Sequence, residues 1–257
     1  MSERRGEDRE RGGNVYADPS VAEAYDDDRY GGPFGRALEA REARLHLRLA
    51  APALDGGPVL DAGTGTGKLY LRLAGEGRTA VGTDRSLPML RRAAEGARRA
   101  GVAPRFAVAN LVRLGFPDRA FRCTLCSRVL MHLEDWRAAM AELCRVTDRL
   151  LVVDAPRRSS FAGLESLVRR VIPWGRRDRP AYRTFSVADL RGELERHGFE
   201  VTAIESGHFL PVALHRRIAR PELSRSLEAP FERLGLTGRF GSPVTLRAER
   251  RSGREPR

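Results

Sequence analysis

The chain of 257 residues contains one lysine, Lys68, among 46 basic residues, so nearly every positive charge is a guanidinium. Many alanines and glycines accompany the arginines. That bias points to a GC-rich coding sequence more than to a selected polyanion surface, and the net charge of +12 is weak ground for a nucleic-acid partner. Part of the excess gathers near the C-terminus, at Arg247, Arg250, Arg251, Arg254 and Arg257. Cysteine is scarce too: three in a chain of this length describe no disulfide framework and suit a reducing compartment. There is no apolar run of about 18 residues and no apolar secretion segment at the start, so a cytoplasmic protein without a transmembrane segment is expected.

What is present is an alternation of strand and helix patterns that fits one α/β domain. Residues 1–13 are mostly charged or glycine and are expected to be a disordered tail. Residues 14–250 read as the single domain and 251–257 as a basic tail. Strands are expected near 59–62, 79–81, 105–109, 121–126, 149–154, 200–205 and 243–249. Asp18 or Ser20 is placed to cap a helix with Pro19 in its first turn, and residues 36–50 read as an amphipathic helix. Residues 185–199 read as another helix, with Ser186 as cap, Leu190 and Leu194 inward and Gly198 ending it.

The most informative run is Val59 to Gly67, V-L-D-A-G-T-G-T-G, a short apolar strand ending in an acid and a glycine-rich turn. Such a turn lets backbone approach a ligand at a strand's C-terminal end. A dinucleotide fingerprint starting at Gly63 needs glycine at 68, where Lys68 stands. A phosphate loop ending at Gly67 and Lys68 needs glycine at 62 and a hydroxyl at 69, but Ala62 and Leu69 stand there. What remains is D-x-G-x-G-x-G.

Three further blocks follow it. Gly82 to Leu90 reads G-T-D-R-S-L-P-M-L; Phe116 to Phe121 reads F-P-D-R-A-F; Val129 to Asp135 reads V-L-M-H-L-E-D, with Glu142, Arg145 and Val146 in the helix beyond. In these blocks, over about residues 59–154, the chain resembles the class I S-adenosylmethionine-dependent methyltransferases, and most of all the broad group that includes ubiquinone-type and other small-molecule enzymes. The resemblance implies a Rossmann-like seven-stranded, mainly parallel sheet with the last strand inserted antiparallel and helices on both faces. It also implies insertions over 155–185 and 207–236 that cap the substrate side. The cofactor implied is S-adenosyl-L-methionine, held by Asp61, Ala62, Gly63, Thr64, Gly65 and Gly67 of the first loop, by Asp84, Arg85 and Met89 of the second, and by Asn110, Leu111, Ser127 and Tyr25. A carboxylate at Asp84 suits the two hydroxyls of a ribose. Tyr16, Tyr25 and Arg29 either line the methyl-donor pocket or, for the tyrosines, simply pack the N-terminal helix.

The chain departs from the family pattern in three places. Asn110 stands where an acid usually receives the adenine amino group, though its amide oxygen can accept the same bond. Arg122 follows Phe121 where the family writes aspartate, and the proline and paired glycines before the fifth strand are missing, so Asp148 and Arg149 run directly into Leu150.

A sulfonium donor supplies its own leaving group, so catalysis is mainly positioning. A phenol or enol acceptor is helped by a base, and His132, just after strand four, is the candidate; the alternative is that it orders the loop or contacts the cofactor. His208 and His215 are weaker candidates in the second insertion, and His46 and His197 read as structural. Cys123 and Cys126 lie three apart on a strand, hence on opposite faces, which leaves no metal site. In the second insertion Phe209, Leu210, Pro211, Leu214 and Ile218 form either an apolar wall for a substrate or, as the favoured reading, part of a packed helical pair.

Several acceptors are argued down by absence. Cys126, Ser127, Arg128 and Val129 replace the N-P-P-Y loop of base-amino methyltransferases. No Pro-Cys pair exists for cytosine C5 chemistry, and one lysine excludes the ribose enzymes that use two. The expectation is methyl transfer to an oxygen, carbon or nitrogen of a small-molecule or lipid/quinone-like acceptor. The alternatives are an RNA or other nucleic-acid methyltransferase and a non-catalytic S-adenosylmethionine-binding regulatory protein. Oligomeric state has no signal in the sequence.

Overall fold

The computed structural model describes residues 15–160 and 183–251. The expected N-terminal tail, nearly all of the basic C-terminal tail and most of the first expected insertion lie outside the described residues. Seven strands, β1 Val59–Ala62, β2 Ala80–Asp84, β3 Phe106–Val108, β4 Phe121–Cys126, β5 Thr147–Ala155, β6 Phe199–His208 and β7 Ser242–Arg250, form one sheet in the order β3-β2-β1-β4-β5-β7-β6. β7 runs antiparallel to both β5 and β6, and the remaining neighbours are parallel, as the family resemblance implies.

Helices α1 Pro19–Tyr30 and α2 Gly32–Ala50 precede the sheet, and α3 Lys68–Gly75, α4 Leu87–Arg99, α5 Trp136–Val146 and α6 Val187–Arg196 connect its strands. Asp18 caps α1, accepting from the Ser20 N–H at 2.9 Å, and Ser186 caps α6 through the Asp189 N–H at 3.0 Å. α2 starts four residues before the expected Arg36, because Gly31 and Gly32 break the chain and Pro33 occupies the first turn, where no N–H is needed.

Alternation along the strands divides the core. Leu60, Ala62, Cys126, Leu151 and Val153 face Trp136, Met140 and Leu190 on one side. Val59, Cys123, Leu125, Leu150 and Val152 face Leu49, Tyr70 and Leu73 on the other. Cys123 and Cys126 therefore sit in different cores, and burial pushes the Cys123 thiol up to about 12. The missing turn before β5 has a physical substitute: α5 passes straight into β5 at Thr147, whose hydroxyl lies 2.6 Å from both the Thr124 hydroxyl and the Leu143 carbonyl oxygen. Arg122 pairs with Asp148 at 3.0 Å, near the start of strand β4 and away from its ligand end.

Between β6 and β7 lie α7 Val212–Ile218, α8 Pro221–Arg233 and the short α9 Leu236–Phe240, so this insertion is helical. It starts two residues later than expected, after β6 ends at His208, and reaches past 236. Phe209 stacks on Phe231 of α8 at 4.4 Å, in keeping with the favoured reading of a packed helical pair. His215 is fully buried, with Nε2 2.8 Å from Glu228 Oε1 and Nδ1 2.7 Å from Ser224 Oγ. Glu228 also accepts the Phe209 and Leu210 N–H groups at 2.9 Å. Phe34 of α2 stacks on His215 at 5.5 Å, and Arg41 of α2 reaches His208 Nε2 at 2.7 Å. The two histidines read as weaker catalytic candidates are thus the seat of these helices on α2. No helix among the described residues is long and apolar enough to cross a membrane.

Two outcomes are expected. The Tyr70 hydroxyl donates to the Ala103 carbonyl and accepts from the Arg105 N–H at 3.0 Å, so Tyr70→Phe strands two backbone groups and costs about 1–2 kcal/mol in urea unfolding. Burial and then Arg41 push His208 down to about 4 from 6.5, while Glu228 works the other way and His215 adds to the lowering. The unfolded chain therefore binds the proton more readily, and stability is lost as pH falls through that window. Between about pH 7 and about pH 5 the loss from this residue is on the order of 1–2 kcal/mol, and His208→Gln removes it from the pH dependence of the unfolding midpoint.

Candidate functional site

The chain leaves β1 for β2 and β3 on one side and reaches β4 and β5 on the other, so the switch point of the sheet lies between β1 and β4. Ligand crevices form at the C-terminal strand ends there. The Gly63 and Thr64 N–H groups both donate to the Thr83 carbonyl, at 2.7 and 2.8 Å, and fold the turn over β2. Asp61 is buried, and its Oδ2 accepts from Thr64 Oγ1 at 2.6 Å and from the Tyr70 N–H at 3.1 Å. Burial pushes its carboxyl up to about 6 against these two bonds. Asp61 therefore staples the turn to α3 rather than reaching outward. Gly63 has φ +76°, and a Cβ there would lie 2.3 Å from Val129 Cγ2, so only glycine lets the first turn pass beside the loop after β4. Gly65, at φ +55°, faces open space.

Asp84 ties two loops together. One carboxylate oxygen accepts the Gly65 N–H at 2.9 Å and the other the Ser86 N–H at 2.8 Å. Burial raises its pKa, opposed by those backbone N–H bonds. An ionised carboxylate offers about four acceptor positions, so about two remain for donors from a ligand. Of the other expected residues, Ala62 and Met89 are fully buried, Leu111 is nearly so, and Arg85 is exposed at the rim. Asn110 is exposed, and its amide oxygen accepts from the Val112 N–H at 3.2 Å within its own turn, leaving one lone pair. Ser127 turns its hydroxyl to Asp154 at 2.9 Å.

The N-terminal segment bridges this cleft. The Ser86 hydroxyl bonds the Tyr16 carbonyl, and the Tyr16 ring meets Tyr25 at 5.8 Å and His132 at 5.7 Å, edge to face in both cases. Burial raises both tyrosine pKa values. Asp26 of α1 accepts from Thr66 Oγ1 at 2.8 Å and lies 3.2 Å from Lys68 Nζ, latching α1 onto the glycine turn. His132 ends a short turn over Leu130–His132 after β4. The structure thus brings the loops after β1, β2 and β4 together beneath Tyr16, Tyr25 and His132.

A second polar cluster went unread in the sequence. Asp154, buried at the end of β5, accepts from the Arg128 N–H at 2.6 Å and the Ser127 hydroxyl, and lies 3.3 Å from His46 Nε2 of α2. Burial works against a charged His46, yet Asp154 and the Glu42 carbonyl outweigh it and hold the ring above its ordinary pKa. Arg128 takes φ +62°, uncommon outside glycine, and its Nη1 donates to Glu42 Oε1 at 2.6 Å. Burial pushes Glu42 up to about 7, despite Arg29 nearby. Its only sequence signal is the four-residue spacing of Glu42 and His46 on one face of α2.

Residues 59–149 match a family model described as a methyltransferase domain. The demethylmenaquinone methyltransferase of Thermus thermophilus is 35% identical over 130 residues, 48% of this chain and 57% of that protein, so the chain spans a little over half the length of this curated relative. Among solved structures, the magnesium protoporphyrin IX methyltransferase of Synechocystis with SAH bound superposes with a TM-score of 0.61 at 22% identity, over 85% of each chain. A possible histamine N-methyltransferase of Thermotoga maritima gives 0.56 at 19%, over 84% of this chain and 92% of that one. Those structural likenesses speak for the fold, and the family match falls on the strands and turns that build the cleft. Over residues 59–149 the chain is therefore similar to a methyltransferase domain, and its sheet has the fold of the methyltransferases on which it superposes.

Proposed function

We propose that this chain transfers a methyl group from S-adenosyl-L-methionine to an oxygen, carbon or nitrogen of a small-molecule or lipid/quinone-like acceptor. The observation that carries this reading is the Asp84 carboxylate: already holding Gly65 and Ser86, it is fixed in place and keeps acceptor capacity for the paired hydroxyls of a ribose. Gly65 faces the open space a ligand needs against the turn, Gly63 lets that turn pack beside Val129, and Asp61 keeps it rigid from beneath. When bound, the cofactor supplies an electrophilic methyl on a sulfonium that is its own leaving group.

The remaining work falls to the chain. Tyr16 and Tyr25 roof the cleft and keep water from it, and the Asp26 latch holds α1 closed over Thr66 and Lys68. Ala62, Met89 and Leu111 shape the strand ends from within the fold, while Arg85 and Asn110 form the outer rim toward β3. Ser127, fixed by Asp154, sets the backbone after β4. His132 stands on the same loop, against Tyr16, where a phenol or enol acceptor would give up its proton. The name of the Thermus relative supports an acceptor of quinone type.

Calorimetric titration with S-adenosylmethionine, with NAD as control, is expected to show micromolar binding that Asp84→Ala weakens by about 1.5–3 kcal/mol. Folded protein that binds no S-adenosylmethionine overturns the reading. In a labelled-methyl screen of quinols and lipid-like phenols, His132→Ala is expected to keep cofactor affinity and lower kcat by about 10²-fold on a hydroxylated acceptor. An unchanged kcat removes the proton-transfer role.

A further inference from the structure

Helix α8 reverses the usual polarity of a surface helix. It buries Ser224 and Glu228 at 3% and 4% exposure and leaves Leu223, Leu227 and Leu234 exposed at 47%, 37% and 72%. Steps of four, three and four residues place Leu223, Leu227, Pro230 and Leu234 on one stripe, and the Leu234 N–H bond to the Pro230 carbonyl, 3.1 Å, keeps the last of them in helical register. The orientation is locked from inside. Ser224 and Glu228 are committed to His215 and to the Phe209 and Leu210 N–H groups, so the leucines cannot turn inward without stranding that network.

The surroundings are cationic. Residues 209–241 carry six arginines against three glutamates, and Glu228 is the one glutamate already spent in the interior. All six arginines are exposed, with Arg220 at the entry to α8 and Arg233 in its last turn; Arg216 also donates to the Arg29 carbonyl of α1 at 2.7 Å, which joins this surface to the roof of the cleft. Leucines in a row do nothing for a nucleic-acid backbone. A second copy of the chain would bring this arginine excess against itself. A surface that takes apolar side chains below a layer of phosphates matches both features.

We propose that α8 is an interfacial docking helix for an anionic lipid surface, with the leucine stripe in the boundary between headgroups and acyl chains and the neighbouring arginines on headgroup phosphates. The inference stands apart from the methyl-transfer reading; together, they would let a lipid-like acceptor be met at its own surface. The test is co-sedimentation of the full chain with phosphatidylcholine vesicles, with and without phosphatidylglycerol, across a salt series. The expected result is binding to the mixed vesicles that weakens as salt rises, little binding to phosphatidylcholine alone, and a loss of about tenfold or more in Leu223→Ser with Leu227→Ser. Arg220→Gln with Arg233→Gln is expected to weaken binding mainly at low salt. Unfolding midpoints of the variants verify that the exposed substitutions leave the fold intact. No binding by the wild type, or equal binding by the leucine double variant, overturns the proposal. So does a concentration-dependent dimer that the leucine substitutions abolish, which would make the stripe a face for a second copy.

Discussion

Backbone N–H groups that leave a sheet in a tight turn need acceptors, and the architecture of this cleft depends on two carboxylates that provide them. Asp61 accepts from Thr64 and from the first turn of α3; Asp84 accepts from Gly65 and from Ser86. Between them the turn after β1 is pinned from below and from the side, and the start of α4 is fixed to it. Each acid is partly or wholly removed from water, and the burial cost is opposed by the hydrogen bonds it accepts. A turn held this way needs little rearrangement when a ligand arrives.

The same economy governs the other side of the cleft. Asp154 holds Ser127 and the Arg128 backbone, and Arg128 reaches across to Glu42 on α2. The left-handed backbone at Arg128 is a local cost that these bonds offset. α2 thus acts as a strut, meeting the sheet through His46 and Asp154 and the helices between β6 and β7 through Phe34 and Arg41.

Legibility in the sequence followed the range of the interaction. Asp18, Ser186 and Gly198 act within a few residues of themselves, and they appear in the structure where their local patterns place them. The seven strands were readable because alternating apolar residues pack on two faces, and the glycine turn because its spacing tolerates few substitutes. Met89 and Ala62 show the limit: the motif identifies them, but only the packed structure shows that their side chains face inward. Asn110 shows another, since the bond its side chain makes to Val112 depends on the turn it adopts.

By itself, the sequence determined the α/β class and the acidic and glycine positions that build the cleft, because each rests on residues close together in the chain or on a periodicity; the order of the strands is a tertiary fact. Tertiary structure alone decided which distant groups meet. Glu42 and Arg128 are 86 residues apart, and Arg41 and His208 are 167 apart, so no local pattern announces either pair. It also decided which face of α8 turns to solvent: hydrophobic patterning alone would bury Leu223 and Leu227, but the polar partners waiting at His215 and the Phe209 backbone claim the opposite choice. Leaving the buried His215 ring and the Phe209 and Leu210 N–H groups without partners costs more than exposing leucines, and that difference sets the helix's rotation.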